Sequence, residues 1–147
     1  MISIRPLRPE DQADWRRLWT AYLAFYNATV AETVYASSFA RLIGTDAQDF
    51  HGLIATVDDQ PVGLVHYLFH RHGWKVENTC YLQDLYVDPD ARGTGLGRKL
   101  IEAVYAAADA AGSPSVYWLT QDFNTEARHL YDRIATLTPF VRYNRKL

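Results

Sequence analysis

The chain has 147 residues, of which 48% are hydrophobic and 22% are charged, and its formal net charge is −2. A chain of this size suits one domain with one hydrophobic core, and the composition argues against disordered and fibrous proteins. The slight acidic excess argues against a nucleic-acid partner, and no apolar run is long enough to span a membrane.

The N-terminal third is predicted to hold one strand and two helices. A strand over residues 3–7 is followed by Pro9 and two carboxylates, which favour a helix start because proline fits a first turn and carboxylates face the positive end of the helix dipole. Apolar side chains then recur at steps of three and four, which indicates a helical stripe. They are Trp15, Leu18, Trp19, Tyr22, Leu23 and Tyr26. A second helix is predicted over residues 31–43, with Gly44 as its stop.

The middle of the chain is rich in predicted strands. Residues 53–57 and 62–69 flank a hairpin turn at residues 58–61, which read Asp-Asp-Gln-Pro. A third strand covers residues 80–87 and is stopped by an Asp-Pro pair.

Helices and strands alternate in the last third. An Ala-rich helix is predicted over residues 95–111 and ends at Gly112. A strand over residues 115–120, a helix over 124–134 and a last strand over 140–145 follow. The predicted order is β-α-α-β-β-β-α-β-α-β, which indicates an α/β domain around a mixed sheet.

A glycine-rich turn joins the strand at residues 80–87 to the Ala-rich helix. Glycines let the backbone approach a ligand closely and adopt positive φ, and the free N–H groups of a helix's first turn bind anions. Two arginines add positive charge, so the turn suits a diphosphate. The turn reads Arg92-Gly93-Thr94-Gly95-Leu96-Gly97-Arg98.

Three other nucleotide-binding loops do not fit this turn. The Rossmann fingerprint needs G-x-G-x-x-G after a first strand, whereas the spacing here is G-x-G-x-G after a later strand. A P-loop needs Gly-Lys-Ser/Thr, but Arg98 follows Gly97. A kinase glycine-rich loop belongs to a much longer chain with further motifs. For the turn taken alone, a connection that binds nothing stays open.

The residues around the turn resemble the signature of the GNAT superfamily of N-acetyltransferases. The Arg/Gln-x-x-Gly-x-Gly core of that signature is matched at Arg92, Gly95 and Gly97, after a strand that reads Leu-Gln-Asp-Leu-Tyr-Val. A second block, Asn-x-x-Ala-x-x-Leu-Tyr, runs from Asn124 to Tyr131 at the customary distance downstream. The resemblance implies a mixed, mostly antiparallel sheet with helices on both faces.

The stretch from Leu82 to the C-terminus resembles one branch of the superfamily, the yeast histone acetyltransferase-like proteins. That branch includes acetylases of small amines and amino acids, and it implies a single N-acetyltransferase domain over residues 1–147. The chain departs from the wider superfamily after Tyr131, because no Gly-Phe pair follows the helix. This departure weakens substrate inferences from better-known relatives, but not the inference of the cofactor.

The resemblance implies acetyl-CoA as the cosubstrate, direct attack by an amine in a ternary complex, and no metal. It also implies that the strand before the turn offers backbone groups to the pantetheine arm, with the N–H of Leu85 polarising the thioester carbonyl. Asn124 is an N-cap of its helix, a contact to the pantetheine arm, or both. The candidate cofactor-binding residues are Leu85, Tyr86, Val87, Arg92, Gly93, Thr94, Gly95, Leu96, Gly97, Arg98 and Asn124.

Two side chains are candidates for the proton transfers that acetyl transfer requires. The family motif places the hydroxyl of Tyr131 beside the cofactor sulfur, and a tyrosine with an ordinary pKa of about 10 is protonated at neutral pH and can donate to a thiolate. By periodicity alone, Tyr131 also fits the apolar stripe of its helix. Asp84 lies in the signature strand where relatives recruit a carboxylate, and it is either the general base or a residue that orients structure or substrate.

The sequence leaves the acceptor open. A small-molecule amine, an amino acid, or a protein lysine or N-terminus all fit, and the aromatic residues of the first two helices could stack on an amine. Dimerisation is common in the family, and a homodimer through the C-terminal strand is plausible. The alternative function is a non-catalytic acyl-CoA-binding or sensor domain on the same fold, although the retained Tyr131 favours the enzyme.

Histidine and cysteine residues add little to this interpretation. His66, His70 and His72 share strand parity, but no cysteine or carboxylate completes a metal site. Cys80 is the only cysteine, so it forms no disulfide within the chain, and nothing near it in sequence activates it as a nucleophile. Since the N-terminus also lacks a signal-peptide pattern, we expect a cytoplasmic protein.

Overall fold

The computed structural model describes residues 1–147 as one five-stranded sheet with α-helices on both faces. The strands are β1 (Ile2–Pro6), β2 (His51–Val57), β3 (Gln60–His70), β4 (Thr79–Val87) and β5 (Val116–Tyr117). The helices are α1 (Gln12–Phe25), α2 (Glu32–Leu42), α3 (Leu96–Ala110) and α4 (Thr125–Ile134), with single 3-10 turns at Pro9–Asp11 and Pro89–Ala91. None of the helices combines the length and apolarity needed to cross a membrane.

The strands lie in the order β1-β2-β3-β4-β5. Neighbours from β1 to β4 are antiparallel, whereas β5 runs parallel to β4. The predicted mixed, mostly antiparallel sheet is confirmed. The predicted hairpin between β2 and β3 is also confirmed, and its turn is tighter than residues 58–61. Asp58 and Asp59 alone form it, with φ angles of 50° and 65° that fit a two-residue turn.

Two apolar cores lie on opposite faces of the sheet. Because side chains alternate along a strand, Leu64 and Val65 of β3 are both fully buried but enter different cores. Trp15 of α1 and Phe39 of α2 cover Leu64, and Leu100 of α3 lies in the core with Val65. The central strands are thus fixed from both sides, and they provide a rigid support for any site at their ends.

The C-terminal end differs from the prediction. The strand predicted over residues 140–145 is absent, and β5 covers two residues instead of residues 115–120. The apolar side chains of Phe140, Val141 and Tyr143 are 85%, 80% and 92% exposed. An alternating apolar pattern favours a strand only where a neighbour supplies hydrogen-bond partners, and no strand of this chain pairs with this segment. The prediction of a last strand is therefore wrong for the single chain.

Candidate active site

A cleft of about 380 Å³ opens where β4 and β5 separate. The two strands pair only at Cys80–Val116 and Tyr81–Tyr117, so the rest of β4 has a strand neighbour on its β3 side alone. Backbone groups on the other edge of β4 are available to a ligand. The cleft is walled by α1, the C-terminal half of β4, the start of α3, and α4.

A β-bulge in β4 lies next to this separation. His66 of β3 pairs with Asp84, and the next residue, Tyr67, pairs with Leu82, which leaves Gln83 without a partner. A bulge bends its strand and increases the local twist. It therefore helps β4 to diverge from β5 just past their last pair.

Nearly all of the predicted cofactor-binding residues line this cleft. Thr94 does not, because its hydroxyl donates to the carbonyl oxygen of Ala91 at 2.7 Å and so stabilises the turn itself. Asn124 precedes α4, makes no side-chain capping bond and lines the cleft. The others in the lining are Leu85, Tyr86, Val87, Arg92, Gly93, Gly95, Leu96, Gly97 and Arg98. Their contact with acetyl-CoA stays a prediction.

The start of α3 presents unpaired donors to the cleft. Gly95 is the N-cap with φ of 79°, and Gly93 has the same positive φ, which glycine adopts without steric strain. The first backward bond of the helix runs from the N–H of Lys99 to the carbonyl of Gly95, at 3.0 Å. The N–H groups before Lys99 are left for an anion, and the helix dipole favours one there.

Gly97 is not required by the fold in the way that Gly95 is. A Cβ added at Gly97 would meet Cδ2 of Leu130 at 3.7 Å, which is ordinary van der Waals contact, and φ is not positive there. At Gly95 a side chain would be strained by the backbone conformation instead. A glycine at position 97 is therefore best explained by the close approach of a ligand.

Arg92 and Arg98 of the turn are held differently. Nε of Arg92 donates to the carbonyl oxygen of Val87 at 2.9 Å, and its guanidinium lies 5.8 Å from the centre of the Tyr86 ring. Arg98 is paired with Glu102 one helical turn away, at 2.7 Å, and both side chains are about half exposed. Arg92 is thus fixed beside the cleft, whereas Arg98 can exchange its exposed partner at little energetic cost.

Tyr131 reaches the cleft from α4. Its ring lies 5.3 Å from that of Trp118 in an edge-to-face arrangement, and the side chain is partly buried. Burial raises the pKa of Tyr131 to about 12, with a smaller contribution from Tyr26 nearby. The hydroxyl is therefore protonated at neutral pH and can donate a proton or a hydrogen bond.

Asp84 lies on the α1 side of β4 and is 8% exposed. Its Oδ2 accepts hydrogen bonds from Nδ1 of His66 at 2.8 Å and from Nε1 of Trp19 at 3.3 Å. Tyr22 lines the cleft; burial raises the pKa of its hydroxyl, and the negative charge of Asp84 raises it further. Asp84 is thus placed behind the wall of the cleft, within range of a tyrosine that forms the wall.

Tyr22 and Phe25 of α1, and Tyr26 directly after it, form the side of the cleft that the sequence described only as aromatic. Tyr22 is close enough to Asp84, and Tyr26 to Tyr131, for each charge to affect the neighbouring hydroxyl. The rings of Tyr22 and Tyr26 lie 5.2 Å apart, so these two tyrosines connect the two predicted catalytic side chains along one wall of the cleft. The position of Tyr22 could be found from its place on the apolar stripe, but not its proximity to Asp84, which depends on the packing of α1 against β4.

Sequence reasoning missed the contact of His66 with Asp84, because it weighed this histidine only as a metal ligand or an ordinary strand residue. The ladder between β3 and β4 places His66 opposite Asp84, and because this register skips Gln83, the alternation along the two strands alone does not predict the pair. His70 bonds instead to the hydroxyl of Tyr117, and no group of three or more potential ligands that could hold a metal ion occurs in the structure. Cys80 is fully buried, and burial raises the pKa of its thiol to about 11.

Comparison with known proteins relates the chain to N-acetyltransferases. The model of the acetyltransferase (GNAT) family matches residues 9–135. The chain is 39% identical over 145 residues to the D-amino-acid N-acetyltransferase HPA3 of Saccharomyces cerevisiae, which covers 98% of this chain and 90% of that protein. It is 34% identical over 90 residues to thialysine N-epsilon-acetyltransferase of Bos taurus, which covers 56% of this chain and 52% of that protein.

Solved structures share the fold over the whole chain. The aminoglycoside enzyme AAC(6')-Iy in complex with a bisubstrate analogue superposes with a TM-score of 0.86 at 18% identity, covering 100% of this chain and 99% of that one. A ribosomal-protein-alanine N-acetyltransferase from Brucella melitensis gives a TM-score of 0.80 at 21% identity, covering 100% of both chains.

Proposed function

The chain belongs to the acetyltransferase (GNAT) family, whose members transfer the acetyl group of acetyl-CoA to an amine, and we propose that its acceptor is the amino group of a free amino acid. The observation that carries this proposal is the relationship to a D-amino-acid N-acetyltransferase over 98% of the chain. The relatives that acetylate thialysine, also an amino acid, support the same class of acceptor.

The turn before α3 fits the diphosphate of acetyl-CoA. It offers the unpaired N–H groups of the helix start, the fixed cation of Arg92, and at Gly97 a surface without a side chain where one would otherwise fit. We propose that these groups bind the cosubstrate, and that Leu85, Tyr86 and Val87 contact its pantetheine arm along the free edge of β4. When bound, acetyl-CoA supplies the thioester that the amine attacks.

Tyr131 and Asp84 are proposed to handle the protons. The Tyr131 hydroxyl is protonated at neutral pH, as an ordinary tyrosine is, and burial raises its pKa further, to about 12; it donates to the leaving sulfur. Asp84 accepts a hydrogen bond or a proton from the acceptor amine, supported by its place just behind Tyr22, which forms the wall of the cleft. The amine attacks the thioester directly in a ternary complex, so no acetylated form of the enzyme is required.

A panel of amines tests the proposed acceptor. The protein is mixed with acetyl-CoA and D- and L-amino acids, thialysine, a diamine or a lysine peptide, and free thiol is measured over time. We expect thiol release with free amino acids to exceed release with the diamine and the peptide. Release with the peptide alone would overturn the proposed acceptor. If acetyl-CoA bound but no amine released thiol, a non-catalytic binding domain would be favoured.

We also propose that the protein forms a homodimer through its C-terminal segment, residues 137–147. Leu137, Phe140, Val141 and Tyr143 are each at least 72% exposed, and β5 has no strand on its outer side. A second copy could supply the missing strand neighbour, which would bury these side chains. Light scattering on the full chain should give twice the monomer mass, and a double Phe140→Ser, Val141→Ser variant should be monomeric.

A cytoplasmic location stays a prediction.

A further inference from the structure

Three buried side chains from three elements form a continuous hydrogen-bonded chain. Nε1 of Trp15 in α1 donates to Nε2 of His66 in β3 at 3.0 Å. Nδ1 of His66 lies 2.8 Å from Oδ2 of Asp84 in β4. The three residues are 1%, 5% and 8% exposed. None of the hydrogen bonds that connect them involves a residue of the glycine-rich turn.

The first bond fixes the tautomer of the histidine. An indole N–H can only donate, so Nε2 of His66 must be the acceptor and carry no proton. A neutral imidazole then carries its proton on Nδ1, where it points at Asp84. Protonating Nε2 as well would direct two N–H groups at each other in a buried site, which is unfavourable. With Nε2 accepting from Trp15, Nδ1 is the ring nitrogen that donates to Asp84.

The second bond determines which carboxylate oxygen is free. His66 and Trp19 both donate to Oδ2 of Asp84, at 2.8 and 3.3 Å. The carboxylate is thus fixed in rotation by two donors on one oxygen, and Oδ1 is left for a further donor. Tyr22 lines the cleft and lies within range of the Asp84 charge, and it belongs to the same helix as Trp19.

We propose that His66 is a positioning residue for acetyl transfer: held in one tautomer by Trp15, it orients Asp84 so that Oδ1 accepts a hydrogen bond from the acceptor amine. The inference rests on the proposed role of Asp84, and it assigns to a histidine outside the cleft lining the task of presenting that carboxylate. The same arrangement explains how a buried acid is tolerated, since the donors His66 and Trp19 each compensate for part of its lost hydration.

Two amide variants of His66 each keep one of its two hydrogen bonds and remove the other. In His66→Asn the amide nitrogen takes the place of Nδ1 and can still donate to Asp84, while nothing reaches Trp15. In His66→Gln the terminal amide reaches the place of Nε2 and meets Trp15, while the bond to Asp84 is lost. We expect kcat/KM for the acceptor to fall by up to about 100-fold in His66→Gln, and by clearly less in His66→Asn. His129→Gln, an exposed change on α4, is the control and should behave as the parent.

Two further measurements distinguish positioning from a structural role. Acetyl-CoA affinity should be the same in all of these variants, and ¹⁵N NMR of the parent should show a neutral His66 protonated at Nδ1. The proposal would be overturned if both variants lost the same kcat/KM and if that loss simply tracked their loss of thermal stability. An Nε2-protonated or cationic His66 would overturn it as well. If the parent protein acetylated none of the amines, the proposed function would be contradicted instead. The comparison of the variants with the parent does not bear on that function.

Discussion

The proposed protonation of the leaving sulfur depends on one hydroxyl group, that of Tyr131. Tyr131→Phe keeps the ring, its edge-to-face contact with Trp118 and the packing of α4. If the hydroxyl protonates the leaving sulfur, the single-turnover rate should fall by about 10²–10⁴-fold, the usual range for a lost general acid. Acetyl-CoA affinity should change little, because the loss is in the transition state.

The appropriate control for this variant lies on the same helix. His129→Gln changes an exposed side chain of α4 outside the cleft lining, and it should leave the single-turnover rate within a few-fold of the parent. An unchanged rate in folded Tyr131→Phe would assign the residue to packing alone.

At the scale of single elements, the start of α3 allows the most direct test of where acetyl-CoA binds. Gly97→Val adds a side chain whose Cβ the protein itself tolerates, but which projects where the diphosphate is expected. Acetyl-CoA affinity should therefore decrease strongly while the melting temperature stays near that of the parent. Gly97→Ala should give a smaller decrease in the same direction.

Isothermal titration with acetyl-CoA, CoA, ATP and NAD checks this prediction. CoA should compete with acetyl-CoA, and the two nucleotides should not. A folded Gly97→Val variant with the affinity of the parent would remove the turn from the binding site. Gly95 is a poor choice for this test, because its φ of 79° makes any side chain strained in the folded state.

The elements also show what a sequence can and cannot predict. The turn from Arg92 to Arg98 and the stripe of α1 follow local rules of spacing and conformation, so both were predicted where they occur. The segment at 140–145 has the same kind of local pattern, yet a strand needs a neighbour, and that is a property of the sheet. The bond between His66 and Asp84 likewise depends on a register that skips Gln83, which no local pattern specifies.

At the scale of the whole molecule, burial of weak acids should make stability depend on alkaline pH. Burial raises the pKa of Cys80 from 9.0 to about 11 and that of Tyr131 from 10.0 to about 12. Between about pH 9 and 12 the folded state therefore holds more protons than the unfolded state. The free energy of unfolding should be maintained below about pH 9 and should decrease as the pH rises through that range.

Urea unfolding at several pH values measures this dependence. Below about pH 9, Cys80→Ala should be less stable than the parent because it leaves a small cavity, but its stability should decrease less steeply between about pH 9 and 11. A parent whose free energy of unfolding is constant or increases over this range would contradict the prediction.

The short ladder between β4 and β5 also divides the molecule into parts of unequal local stability. Beyond α3, the chain is attached to the sheet by two residue pairs, and α4 has no fully buried residue. Amide hydrogens of α4 should therefore exchange with solvent faster than those of β2 and β3, through local unfolding. Because α4 forms one wall of the cleft, bound acetyl-CoA should slow that exchange, so that occupancy of the site and ordering of the last quarter of the chain are one coupled equilibrium.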